Sequence, residues 1–219
     1  DFRSLAEIYA AELVLFDDVE QQIPRRFRLA DLLDTQLHDQ EAAIAQYRQV
    51  VAAAPTHAPA WRALGALLAR QQRWQDLLQM HEEELAALQD QDQDQALFVL
   101  GKMAAIAETR LSDLATAIDV HRRMLRWKPD YLPAMRALGR LYSRVGDFES
   151  LVDINRREAL AIRDRKQIVG LYHRTGEILE SQLGRDEDAA EADRKVLVLM
   201  PNHWPALRAL GRLYAKSGK

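Results

Sequence analysis

The chain has 219 residues, 48% of them hydrophobic and 29% charged, with a formal net charge of −3. That balance suits a folded, soluble chain and gives no overall electrostatic pull toward nucleic acid or a membrane. Cysteine is absent, which excludes disulfides and thiolate chemistry but settles no compartment, and no apolar run nears the roughly 18 residues of a membrane span.

The apolar period is helical from one end to the other. In chain order it predicts about twelve helices, near residues 2–16, 20–37, 40–54, 57–71, 73–88, 94–110, 112–127, 130–145, 147–162, 166–183, 186–200 and 203–217. Leu64, Leu67 and Leu68 share one face, as do Leu138, Leu141 and Tyr142. No segment alternates with β-branched enrichment, so no strand is predicted. Connections of a few residues would fold each helix back on the last. The run Gln89–Gln95 reads as a solvated loop.

Proline marks the turns. Pro55-Thr-His-Ala-Pro59, Pro129-Asp-Tyr-Leu-Pro133 and Pro201-Asn-His-Trp-Pro205 follow one design. The first proline stops a helix. Thr56, Asp130 or Asn202 is expected to cap the next one, and the second proline sits in its first turn, where no N–H is needed. Gly146-Asp147 and Gly184-Arg185-Asp186 mark further tight turns.

These elements recur. A constant shift of 146 lays residues 1–73 over residues 147–219 with 26 of 73 positions identical. Residues 73–146 form a third copy, with two extra residues in the Gln89–Gln95 run. The copies are thus 1–72, 73–146 and 147–219. A fixed period means that units stack and bury their apolar faces on neighbours, which favours an extended binding surface over a catalytic pocket. The opening residues align with an internal segment, so the chain is expected to begin inside a longer protein.

At this point the residues resemble a known family, the tetratricopeptide repeat, whose first helix carries Trp-x-x-Leu-Gly-x-x-Tyr. Trp61-x-x-Leu64-Gly65-x-x-Leu68, Met135-x-x-Leu138-Gly139-x-x-Tyr142 and Leu207-x-x-Leu210-Gly211-x-x-Tyr214 match it. Small crossing residues follow at Ala43, Ala117 and Ala189, and closing prolines at Pro55, Pro129 and Pro201. Longer units, beginning near Pro24, Phe98 and Gly170, put Asp31, Ala105 or Glu177 in place of the glycine. The resemblance implies an all-α, right-handed α-solenoid of antiparallel helix pairs over residues 1–219. In it Gly65, Gly139 and Gly211 would let neighbouring helices approach closely.

The family lines its concave face with first helices. Its inward offsets, applied here, select thirty positions. Thirteen are basic: Arg25, Arg28, Arg62, Arg70, Lys102, Arg110, Arg136, Arg140, Arg144, Arg174, Arg208, Arg212 and Lys216. None is Asp or Glu, whereas chain-wide frequencies would place about four of each. The resemblance therefore implies a basic groove for an acidic peptide or protein, since the arginine fork matches carboxylates. The bland alternative is that these arginines pair with glutamates of adjacent helices and hold the repeats in register. Nucleic acid is disfavoured, because no groove position is aromatic for base stacking. The asparagines of the family's carboxylate clamp are also missing there.

Nothing in the sequence carries catalysis. There is no phosphate loop, His-Glu-x-x-His motif or nucleophile elbow. His81 and His121 are expected to pack, and Trp61, Trp74, Trp127 and Trp204 to fill the core or helix junctions. The function expected is a non-enzymatic protein-binding scaffold without cofactor, metal or membrane insertion, with a cytoplasmic setting favoured. The alternatives are an arm of a larger enzyme or a spacer that self-associates end to end. For the last of these, Leu210, Leu213 and Tyr214 would stand partly exposed.

Overall fold

A computed structural model describes residues 1–16, 18–88 and 92–218. Among the described residues there are twelve α-helices and no strand. They divide into two compact units, Asp1–Ser112 and Asp113–Lys219. The first holds α1 (Phe2–Leu15), α2 (Val19–Thr35), α3 (Gln40–Ala53), α4 (Ala58–Arg70), α5 (Trp74–Ala86) and α6 (Gln93–Ile106). The second holds α7 (Leu114–Trp127), α8 (Leu132–Val145), α9 (Phe148–Ala161), α10 (Arg165–Ser181), α11 (Asp186–Leu199) and α12 (Trp204–Ser217). The middle sequence copy thus gives α5 and α6 to one unit and α7 and α8 to the other.

Within each unit the principal packing is between helices adjacent in the chain. Short connections fold each helix back along its predecessor. This is the one-dimensional packing of a repeat protein. The stripes foreseen in the sequence do the packing. On α8, Met135, Leu138, Leu141 and Tyr142 are buried, while Arg136, Arg140, Ser143 and Arg144 form an exposed stripe. The first unit is centred on Tyr47, Val50, Trp61, Leu64, Leu68 and Met80. Each such side chain contributes about 1.5–3 kcal/mol through removal from water. The small crossing residues Ala43, Ala117 and Ala189 are fully buried.

The second prolines, Pro59, Pro133 and Pro205, open α4, α8 and α12 as expected. The caps differ from expectation. Thr56, Asp130 and Asn202 lie one residue too early. His57 and His203 are the N-caps of α4 and α12, their Nδ1 atoms accepting from the N–H of Ala60 at 3.1 Å and of Ala206 at 3.3 Å. Tyr131 stands at the same place before α8 with no side-chain cap bond.

Two further departures have simple causes. Part of the Gln89–Gln95 run lies outside the described residues, but Gln93–Gln95 belong to α6, where Asp94 adds favourable negative charge at the helix start. The same helix ends early, at Ile106, and passes into a π-helical turn, Ala107–Leu111, closed by left-handed Ser112 at φ 53°. His38 and Gly184 take that left-handed role after α2 and α10, and Gln72 and Gly146 after α4 and α8.

The signature glycines are not where helices press closest. A Cβ on Gly65 or Gly139 would meet Met80 at 3.4 Å or Asn155 at 3.8 Å, and on Gly211 nothing described within 4 Å. Tighter packing occurs at Gly176, where a Cβ would lie 3.3 Å from the Asp193 carboxylate. Leu210 and Leu213, foreseen as partly exposed, are 7% and 3% exposed, because α11 covers them, while Tyr214 remains 37% exposed. Trp61 is buried as expected, but Trp204 is 72% exposed and is no core residue.

Candidate functional site

The thirteen basic positions sort into two kinds once their neighbours are known. Arg25 meets Glu12 at 3.2 Å and lies over the Phe16 ring. Arg70 pairs with Asp34, Arg136 with Glu158 at 2.9 Å, Arg212 with Glu180 at 3.0 Å and Lys216 with Asp186 at 2.6 Å. All five bridges join different helices, as the register-holding alternative requires. Exposed bridges of this sort contribute little each, because solvent screens them.

The other eight have no carboxylate partner among the described residues. Lys102 sits 4.5 Å from the centre of the exposed Phe98 ring, and Arg110 sits 4.8 Å from that of Trp74. Arg28, Arg62, Arg140, Arg144, Arg174 and Arg208 are exposed and unpaired. Arg140 and Arg144 are neighbours on one stripe of α8.

In the first unit, α4, α5 and α6 enclose a cleft of about 390 Å³. Buried Trp61, Leu77, His81 and Ile106 make its floor. Arg62, Ala66, Lys102 and Ala105 make its rim, so two of the basic positions come together here. Among the described residues, no Asp or Glu lines it. Beneath the floor, His81 Nδ1 and Glu84 Oε2 lie 2.7 Å apart, both buried. Glu84 turns inward to the histidine.

The second unit has the same helices in sequence-equivalent form, α8, α9 and α10. Glu158 is the equivalent of Glu84 and Asn155 of His81. With no histidine to hold it, Glu158 turns to Arg136, the equivalent of Arg62. Arg140 and Glu177 stand where the first unit has the rim alanines Ala66 and Ala105.

A second cleft in this unit, about 310 Å³, lies by α10, α11 and α12. It gathers Arg208 and Arg212 beside Glu177, Glu180 and the exposed Trp204, so its charge is mixed. At its base His173 Nδ1 meets Asp193 Oδ1 at 2.9 Å, and the His173 and His203 rings meet edge-on at 5.1 Å. Burial raises the Asp193 carboxyl above its ordinary 3.8, against the opposing pull of His173. The pairing of His173 with Asp193 was not foreseen; twenty residues separate them, and only the packing of α11 on α10 unites them. Among the described residues, no group of three or more His, Asp and Glu is placed to hold a metal ion. No helix there is long and apolar enough to cross a membrane.

Residues 60–96 and 134–169 match the family model for the tetratricopeptide repeat. The chain carries tetratricopeptide repeats. Those two matches cover α4–α5 and α8–α9, the helix pairs that contain Gly65 and Gly139. Tetratricopeptide repeats form protein–protein interaction scaffolds. No curated protein matches the chain. Among solved structures it is similar to YrrB, described as a tetratricopeptide repeat protein with an unusual peptide-binding site, at 16% identity over 93% of this chain and 98% of that one, TM-score 0.43. It is also similar to MamA protein, at 19% identity over 81% and 91%, TM-score 0.42. A third is a tetratricopeptide repeat protein from Parabacteroides merdae ATCC 43184, at 16% identity over 97% and 77%, TM-score 0.38.

Proposed function

We propose that this tetratricopeptide repeat chain binds acidic segments of other proteins through the arginines of its first-type helices. The observation that carries the reading is the set of six exposed arginines without an ion pair among the described residues: Arg28, Arg62, Arg140, Arg144, Arg174 and Arg208. An unpaired guanidinium keeps its whole donor fork free for a carboxylate. The five paired positions hold helices together and take a smaller share in binding. The reading assigns no catalytic role to any residue.

The test is charge reversal at Arg140, Arg144 and Arg174 together, read with a fluorescent peptide rich in Asp and Glu. Binding to the parent chain weakens as salt rises, because exposed charges are screened over about 10 Å at 0.1 M. The triple variant keeps its helical circular dichroism and binds at least tenfold more weakly. Unchanged affinity, or equal binding of a lysine-rich peptide, sinks the reading.

A further inference from the structure

The cleft between α4, α5 and α6 differs in kind from the rest of the basic surface, because its floor is largely apolar, its polar member His81 being engaged by Glu84. Trp61, Leu77 and Ile106 are each less than a tenth exposed, yet they line a space of about 390 Å³. That size falls within the roughly 300–1,000 Å³ of small-ligand pockets and is ample for one side chain. The cleft stays open because Ala66 and Ala105, both exposed, have no side chain long enough to cover it. The equivalent residues in the second unit are Arg140 and Glu177.

Its charge has a local cause. Arg136 of α8 is neutralised by Glu158 at 2.9 Å. The equivalent Glu84 is withdrawn to His81 at 2.7 Å, so Arg62 keeps a charge at the rim that no described residue compensates. Lys102 adds a second cation, held over the Phe98 ring. An occupant complementary to both properties carries carboxylates outside and an apolar group within. A wholly acidic segment would leave the floor wet, and a wholly apolar one would leave the cations unanswered.

We propose that this cleft takes one apolar side chain of an acidic peptide segment, Leu or a residue of similar size, with flanking carboxylates on Arg62 and Lys102. The proposal rests on the acidic-segment reading and names where that segment is anchored. Polar rim and apolar centre divide the work as in other interfaces: the buried side chain supplies affinity and the charges supply orientation and rate.

The experiment uses two fluorescein-labelled peptides of identical acidic residues, one with a central Leu and one with Ser there. The parent chain binds the Leu peptide about tenfold more tightly or better, as expected when one such side chain leaves water. Ala66→Arg with Ala105→Glu imports the second unit's rim without changing net charge. In this variant the Leu preference falls to near unity while the Ser peptide keeps its affinity; should the pair misfold, Ala66→Arg alone also loses the Leu preference, with both peptides bound somewhat more tightly through the added charge. Equal affinity of the two peptides for the parent chain overturns the cleft but leaves the acidic-segment reading standing. A Leu preference that survives the rim change also overturns it. If neither peptide binds the parent chain, the broader reading falls and the cleft with it.

Discussion

Residues 27, 47 and 57 of the first sequence copy and residues 173, 193 and 203 of the third occupy the same repeat positions; the third residue is histidine in both, but the first two change from an aromatic pair to a polar one. In the first copy, Phe27 packs against Tyr47 with ring centres 5.7 Å apart and against His57 at 5.1 Å. In the third, His173 binds Asp193 and meets His203 at 5.1 Å. Both second-helix residues are buried, Tyr47 at 1% and Asp193 at 2% exposure. Burial, with Asp31 and Asp34 nearby, pushes the Tyr47 phenol up to about 12, so it stays neutral. The helix scaffold therefore tolerates either an aromatic or a polar contact at this crossing, provided that both partners change together. An aromatic pair adds about 0.5–1.5 kcal/mol beyond burial, whereas a buried charged pair is often no better than an apolar replacement.

The severest way to break this equivalence is to change one partner alone. Tyr47→Asp would bury a carboxylate opposite Phe27, where the third copy has the histidine that receives it. The expected loss is about 3–5 kcal/mol, read from the midpoint of urea unfolding. Adding Phe27→His should restore part of that loss. No recovery on adding the histidine would show that the third copy's pair does not transfer as a unit.

The converse exchange sharpens the comparison. His173→Phe with Asp193→Tyr imports the aromatic pair into the third copy. A gain of roughly 1–3 kcal/mol is expected. The pH dependence should change as well. Because burial raises the Asp193 carboxyl, the folded chain holds that proton more tightly than the unfolded one. Its contribution to stability is fullest below the ordinary 3.8 and falls as pH rises from there through the raised folded value. Unfolding curves over acid pH should lose that descent in the double variant; an unchanged slope would assign it to other carboxylates.

The smallest difference between copies lies in the backbone. After α4 the left-handed residue is Gln72, at φ 57°, whereas after α8 it is Gly146, at φ 74°. A side chain is strained in that region and glycine is not. Gln72→Gly should therefore stabilise by no more than about 1 kcal/mol, and Gly146→Ala should destabilise by a similar amount, both read by thermal unfolding. Opposite signs at the two positions are the expected outcome. A loss on Gln72→Gly would mean that glutamine contacts there outweigh the strain.

The all-helical fold was legible in the sequence because it is written in local terms. Apolar spacing near 3.6, prolines at first turns and the residues after each helix set the element boundaries, mostly to within two residues. The sixth helix is the main exception: a π-helical turn replaces its last residues, and nothing in Ala107–Leu111 announces it. The histidine caps were missed because a histidine accepts at Nδ1 only in one tautomer, so its type alone does not mark a helix start.

The amino-acid sequence by itself determined the repeat, the helix faces, and which helices carry the basic residues. Those are properties of spacing, and spacing survives any packing. Only the tertiary structure decided which of those residues remain free. Arg62 and Arg136 are identical in type, helix position and repeat offset, but Glu84 turns to His81 while Glu158 turns to Arg136. The choice depends on a third residue on the neighbouring helix, and ion pairing is settled by distances of a few ångströms across helices. The same holds for His173 and Asp193, for the burial of Leu210 and Leu213 under α11, and for the opening left by Ala66 and Ala105. Each follows from what a neighbouring helix brings within reach, which no single helix's periodicity contains.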